Sequence, residues 1–404
     1  MSKNHLKIGL DLRGLDPDFK AHSQRGTGRY IREVTDRLLK NDFYDEDLSF
    51  IPLTRENIGL NSWQRGLLNR LPRGRVTFES QICLRNNINN TGCDVAHFFS
   101  HGDAPAYPLL PQIATILDLI PLRFPHLYQS GPLNLRFELA RFLENRAAIA
   151  AKGIITISEA SKRDIVDILG IPADRIAITY LGVDNLFFST PDDESALSKE
   201  ILDKLDKNNA ENKKLKLALY VGGLDARKNI NFLLELIEEL NKNHTSIDNC
   251  DELRLALVGN FKNEKNFPEI LKKIQALGLE EKIIFLGFVN NSDLIKLYKY
   301  SDIFIFPSLY EGFGLPILEA MASESLIVAG NNSCMKEVLG DDDFLFQDND
   351  LKEWCNGIIA LLNSKDAKND ILLEKLKANR DRAKSFNWEN TVKQTIEAYK
   401  LLLY

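Results

Sequence analysis

The chain has 404 residues, which at roughly 100–200 residues per domain suggests two domains. Apolar residues make up 44% and charged residues 27%, so the chain is neither disordered nor collagen-like, and it can build two cores. The net charge of −6 argues against a whole-surface nucleic-acid footprint. Through Thr190 there are 23 basic and 21 acidic residues, net +2, and the remainder is net −8. Five scattered cysteines without a CxxC pair read as reduced thiols, and the N-terminus carries no apolar signal region. With no apolar run near the ~20 residues of a membrane span, the expectation is a cytoplasmic protein that could sit on a bilayer surface.

In chain order, Ile8–Leu12 and Phe50–Leu53 read as strands, with Ile31, Val34 and Leu38 forming a helix face between them. Ile113–Leu119 is another strand, and Ile154–Ile157 precedes a helix capped by Ser158. The polar stretch Ser189–Lys214 reads as a linker. Five apolar runs follow: Leu217–Val221, Leu253–Val258, Ile283–Phe288, Ile303–Phe306 and Leu326–Ala329. Between them lie helical patterns such as Leu233, Leu236, Ile237 and Leu240. Continuous apolar strands alternating with helices predict parallel sheets covered on both faces. The fold class is therefore α/β, with two Rossmann-like, doubly wound domains facing a cleft. Helices are expected near 350–363, 371–384 and 388–402, the last with Trp388, Val392, Ile396 and Tyr399 on one face.

Ligands of such sheets bind beyond the carboxyl ends of the strands, and the informative motifs stand there. Phe306–Ala322 reads FPSLYEGFGLPILEAMA. Gly312 and Gly314 allow close backbone approach, Pro316 opens a helix, and Glu311 and Glu319 can face one ligand. Carboxylates in that place suit vicinal hydroxyls of a sugar or ribose better than phosphate. Tyr220–Asn229, YVGGLDARKN, runs a strand into Gly222 and Gly223 and then Arg227 and Lys228, two cations able to meet a diphosphate. Gly26-Thr27-Gly28 opens the first helix but lacks the third glycine of a dinucleotide fingerprint, which sets aside a nicotinamide dehydrogenase. It reads as a flexible lid whose amides approach a ligand phosphate.

These motifs, with ITISEASKRDI, YLGVD, IIFLGFV and the WENT…AYK helix, resemble the retaining glycosyltransferases of family 4, which have the two-domain GT-B fold. The Glu311-x7-Glu319 spacing is the most specific match. The resemblance implies an acceptor domain over 1–190, a nucleotide-sugar donor domain over 191–385, and a closing helix, 386–404, that crosses back to the first domain. It implies transfer of a hexose, mannose or glucose, from a GDP-, UDP- or ADP-sugar to a glycan or lipid-linked acceptor in cell-surface polysaccharide synthesis. Glu319 would hold the ribose and Glu311 the transferred sugar. The amides of Gly312, Phe313, Gly314 and Leu315 would line sugar and phosphate, and Arg227 and Lys228 would hold the leaving diphosphate. No cofactor and no bound metal are implied.

The chain departs from the family twice. Leu117 stands where a histidine usually precedes Asp118, which the resemblance makes a catalytic residue, and Gly223, in the donor-binding loop, stands where many members have arginine. Both leave open a second reading, a nucleotide-sugar-binding partner without turnover of its own. Asp16–Asp18 and Asp341–Asp343 read as solvated acidic turns rather than metal sites. His97 and His101 are candidates for a cleft or acceptor role. Segment 63–75, WQRGLLNRLPRGR, reads either as a basic amphipathic patch for anionic lipid or as a loop packing its leucines on the domain.

Overall fold

The computed structural model describes residues 5–16, 26–40, 43, 45–58, 64, 75–128, 135–189, 197–206, 214–340 and 344–404. The acidic turn at 341–343, Pro17 and Asp18, and all of segment 63–75 except Gln64 and Arg75 lie outside them. The chain forms two compact units, residues 1–181 with 388–404, and residues 182–387.

The first unit is a six-stranded parallel sheet in the order β2-β1-β3-β4-β5-β6. Its strands are β1 (Leu6–Asp11), β2 (Leu48–Leu53), β3 (Val95–Phe98), β4 (Gln112–Ile116), β5 (Gly153–Thr156) and β6 (Ile176–Ile178). Strands β3 to β5 are buried along their whole length, as expected of a parallel sheet covered on both sides. Ser158 caps the helix Glu159–Leu169 by accepting from the Ser161 amide at 3.0 Å. The helix Trp388–Leu403 belongs to this unit and lies against β5 and β6. A side chain at Gly153 would meet Leu402 at 2.7 Å, so this strand needs glycine for the helix to approach. Thr391 Oγ1 donates to the Tyr180 carbonyl at 2.7 Å, and Tyr180 N donates to Gln394 Oε1 at 2.9 Å.

One reading of this unit is corrected. His97 does not face a cleft: it lies inside β3, fully buried, with Nδ1 2.7 Å from the Tyr399 hydroxyl and Nε2 2.9 Å from Thr115 Oγ1. Its short strand, VAHF, was hidden because a polar residue interrupts the apolar run. Gly26-Thr27-Gly28 opens the helix Gly26–Leu39, as its sequence suggests, with Gly26 exposed and Gly28 buried.

The second unit is again six parallel strands, in the order β12-β11-β10-β7-β8-β9. They are β7 (Leu215–Val221), β8 (Glu252–Val258), β9 (Ile283–Gly287), β10 (Ile303–Phe306), β11 (Ile327–Gly330) and β12 (Leu345–Phe346). The helix Ile230–Lys242 buries Leu233, Leu236, Ile237 and Leu240 completely. Part of the stretch read as linker is folded. The helix Lys199–Asp206 buries Ile201 and Leu205, which with Leu197 recur every four residues and form an apolar stripe within the polar composition. The winding runs from β7 outward through β8 to β9, then returns to β10 on the other side of β7. The switch point therefore lies between β7 and β10.

Candidate active site

Two loops leave the carboxyl ends of β7 and β10, the strands that flank this switch point. After β7, Asp225 caps a short turn, Ala226–Lys228, by accepting from the Arg227 amide at 3.2 Å. Asn229 then turns the chain in the left-handed region, with φ 57°, and starts the next helix. After β10, the loop 307–314 leads into the helix Leu315–Ala322, with Gly314 at φ 93° just before it. A side chain at Gly314 would stand 2.9 Å from Met335 Cε, so glycine serves both the conformation and the close packing here.

The loops meet through charge. Lys228 Nζ is 2.5 Å from Glu311 Oε1, and Arg227 Nη1 is 2.5 Å from Glu311 Oε2. Arg227 Nη1 also donates to the Tyr310 carbonyl at 3.1 Å, and the Leu309 amide donates to the Arg227 carbonyl at 2.8 Å. The Lys228 ammonium lies 5.0 Å from the centre of the Phe306 ring. Burial alone would raise the Glu311 carboxyl, but Lys228 and Arg227 outweigh it and hold it below its ordinary value. Burial lowers Lys228, with the Arg227 charge acting in the same direction and Glu311 opposing both. The cluster is thus a buried carboxylate shared by two cations, with Asp225 Oδ1 a further 3.6 Å from Arg227 Nε.

Gly312, Phe313 and Gly314 are buried, and the Phe313 ring packs edge-on against Phe386 at 5.9 Å. Leu315 begins the helix, and Glu319, one turn on, is buried and accepts from the Tyr298 hydroxyl at 3.3 Å. Gly223 sits under Glu264: a side chain there would meet Glu264 Oε1 at 2.6 Å, and Glu264 Oε2 accepts from the Leu224 amide at 3.1 Å. Tyr220 donates to the Gly223 carbonyl at 2.8 Å, and its phenol is pushed well above the ordinary value by burial and by Glu311.

Several of these contacts had no local signal. Ser333 Oγ accepts from the Glu311 amide at 3.1 Å, and Cys334 Sγ donates to the Glu311 carbonyl at 3.3 Å. Glu264, Tyr298, Ser333 and Cys334 stand 21 to 40 residues from the motif residues they touch, so only the tertiary structure makes them neighbours. All five cysteines are free and buried.

Asp118, Gly26 and Gly28 lie in the first unit. Asp118 follows β4, and its Oδ1 accepts from the Ile120 amide at 3.1 Å, opening the short helix Ile120–Arg123. The neighbouring Leu117, in the place of the expected histidine, accepts from Ser161 Oγ through its carbonyl at 2.9 Å. No group of three or more His, Cys, Asp or Glu side chains suited to a metal occurs among the described residues.

Two family models match this chain. Residues 202–380 match glycosyl transferases group 1, and residues 25–185 match glycosyltransferase family 4. The chain belongs to the group 1, family 4-type glycosyltransferases. Among curated relatives, Escherichia coli O-antigen chain mannosyltransferase B is 34% identical over 254 residues, 63% of this chain and 61% of that protein. The E. coli serotype-specific mannosyltransferase WbdA is 26% identical over 76% of this chain and 36% of that protein. The matches thus span less than two thirds of these relatives' lengths. Among solved structures, sucrose-phosphate synthase from Thermosynechococcus elongatus has a TM-score of 0.66 at 18% identity, covering 98% of this chain and 99% of that one. Anabaena HepE, in complex with UDP and glucose, has a TM-score of 0.63 at 18% identity, covering 98% and 100%. At this identity the likeness carries the fold, which is GT-B.

Proposed function

We propose that this glycosyltransferase moves a hexose, mannose in the first instance, from a nucleoside diphosphate sugar to a glycan or lipid-linked saccharide in cell-surface polysaccharide synthesis, with retention of anomeric configuration. The observation that carries the reading is the Arg227–Glu311–Lys228 cluster at the switch point, where Rossmann-like sheets take nucleotides. The mannosyltransferase names of the relatives support the sugar, and a relative of the same fold in complex with UDP and glucose supports the donor class.

In this reading the leaving diphosphate develops charge beside Lys228 and Arg227, whose positions are already set by Glu311, Tyr310 and the Phe306 ring. Preorganised cations at the point where charge appears lower the barrier without reorganising during the reaction. Glu311 has a second task, accepting hydroxyls of the transferred sugar, while Glu319 accepts those of the ribose. The amides of Gly312 to Leu315 approach sugar and phosphate because the glycines leave the backbone bare. We assign no nucleophile. The two cations perform the charge neutralisation for which other transferases recruit a divalent ion, so the transfer is proposed to be metal-independent. The first unit is assigned to the acceptor, Asp118 is proposed as a catalytic group, and the Gly26 and Gly28 amides are proposed to meet phosphate.

A thermal-shift series with GDP-, UDP-, ADP- and dTDP-sugars, followed by transfer assays on saccharide acceptors, tests this. A donor at a hundred times its Kd adds about 2.7 kcal/mol to stability. A nucleotide sugar that stabilises the protein and is turned over supports the reading; binding with no turnover by any acceptor would favour the non-catalytic partner that Leu117 and Gly223 suggest.

A further inference from the structure

The Glu311 carboxylate that grips Arg227 and Lys228 is also the one assigned to hydroxyls of the transferred sugar. Once a sugar shares it, the two cations must be held from their own side, through the backbone of the loop after β7. That backbone is held at each step. The Gly222 amide donates to the Val258 carbonyl of β8 at 3.0 Å, and the Gly223 carbonyl accepts from the Tyr220 hydroxyl at 2.8 Å. The polar groups of Leu224 are both taken by one neighbouring loop, 259–266, which follows β8. Glu264 Oε2 accepts from the Leu224 amide at 3.1 Å, and Asn266 Nδ2 donates to the Leu224 carbonyl at 3.3 Å. This second loop is itself fixed. The Glu264 amide donates to the Phe261 carbonyl at 2.9 Å, and the Phe267 amide donates to the Glu264 carbonyl at 3.1 Å. The rings of Phe261 and Phe267 stand edge-on to the same Phe285 of β9, with centres 5.7 and 5.4 Å away.

We propose that Glu264 and Asn266 are positioning residues for the transfer: by clamping Leu224 they hold the turn that presents Arg227 and Lys228 to the leaving diphosphate. The proposal rests on the donor reading of this site and extends it to two residues outside both motifs. Leu224 is buried, and Asp225 follows it directly. The Asp225 side chain caps Ala226–Lys228, and its carbonyl accepts from the Lys228 amide at 2.8 Å. A shift at Leu224 therefore passes to both cations, since no residue stands between clamp and cap. Preorganised charge acts only where the anion develops, and a misplacement of about 1 Å can cost about 10² in rate. The clamp also accounts for Gly223. Its backbone lies outside the left-handed region, so no turn geometry demands glycine there. A Cβ at 223 would instead stand 2.6 Å from Glu264 Oε1, and a larger residue would push the carboxylate off the Leu224 amide.

Steady-state kinetics of the full chain test this, with hydrogen exchange over residues 222–229 as a readout that needs no substrate. Glu264→Ala should lower kcat by about tenfold to a hundredfold while the donor KM changes less than about threefold, since a misplaced cation loses the transition state rather than the bound donor. Exchange over 222–229 should quicken by about tenfold, the loss of one hydrogen bond to a charged acceptor. Glu264→Gln keeps an oxygen for the Leu224 amide and should restore turnover to within about threefold of wild type. Asn266→Ala should lower kcat in the same sense. Gly223→Ala should reproduce the Glu264→Ala loss, and the two together should be no slower than either alone, because the added methyl then has no carboxylate to displace. In a Lys228→Ala background the Glu264→Ala loss should shrink, because one of the charges it positions is already gone. Normal kcat or unchanged exchange in Glu264→Ala would overturn the proposal, as would equal losses in Glu264→Gln and Glu264→Ala. So would an undiminished loss in the Lys228→Ala background, or a further loss when Gly223→Ala is added to Glu264→Ala. Each of these leaves the transferase reading standing, whereas a wild type that transfers no sugar fails that reading itself.

Discussion

Lys228 and Glu311 are 83 residues apart in the chain and 2.5 Å apart in the fold. Each enters from the strand on its own side of the switch point, and Arg227 occupies the other carboxylate oxygen. Each charge in the cluster is positioned by another, and the consequences can be measured.

Lys228→Ala should lower kcat by about 10²–10³, the usual effect of removing one preorganised charge from a developing anion. Read from the sequence, this is a loop lysine that the fold could lose freely. In the structure it is largely buried, so its loss should also destabilise, toward the lower end of the ~3–5 kcal/mol typical of a broken buried pair, because Arg227 still faces Glu311. Steady-state kinetics and chemical denaturation of Lys228→Ala, Glu311→Gln and the double variant check this. Stability should recover in the double variant while turnover does not. Normal turnover in Lys228→Ala would remove it from the mechanism.

Glu319→Ala should weaken donor binding by roughly 1.5–3 kcal/mol, the value of a hydrogen bond to a charged acceptor. Tyr298→Phe separates the donor contact from the structural one, since it keeps the ring and removes the hydroxyl that donates to Glu319 at 3.3 Å. Calorimetric titration of a donor into both variants should show a large loss for the first and a small one for the second. Equal losses would mean that Glu319 acts by holding Tyr298.

Transfer should persist in EDTA. Initial rates with chelator and with added Mn²⁺ or Mg²⁺ measure this, and a loss that the metal restores would mean that Arg227 and Lys228 do not suffice for the leaving charge.

His97 makes stability depend on pH. Burial lowers its pKa from 6.5 to about 3, so the folded protein keeps it neutral where the unfolded chain takes up a proton. Its contribution is complete above pH 6.5 and falls away as the pH drops toward 3, at about 1.4 kcal/mol per pH unit from this one site. Urea midpoints measured from pH 7 to pH 5 should fall less steeply in His97→Gln than in wild type. Parallel slopes would show that the ring is protonated without cost.

Most of the strands, the two glutamates eight residues apart and the basic pair are local features. Parallel strands buried on both faces need unbroken apolar runs, and such runs are visible in sequence. Strand β3 escaped because His97 interrupts its run, and the histidine is tolerated there only because Tyr399 and Thr115, from distant segments, satisfy both ring nitrogens. The helix Lys199–Asp206 escaped because its apolar stripe is narrow and its composition polar.

The alternation of strands and helices, the helix start at Pro316 and the places where glycines bare the backbone were determined by the sequence itself, because each depends on residues within a few positions of one another. The strand order belongs to the tertiary structure alone. It sets β10 beside β7, joins Glu311 to Lys228 and Arg227, and brings Ser333 and Cys334 to the Glu311 backbone. It also lays Glu264 and Asn266 against Leu224. Neighbours across a parallel sheet come from segments far apart in the chain, and no local pattern records which strand stands beside which.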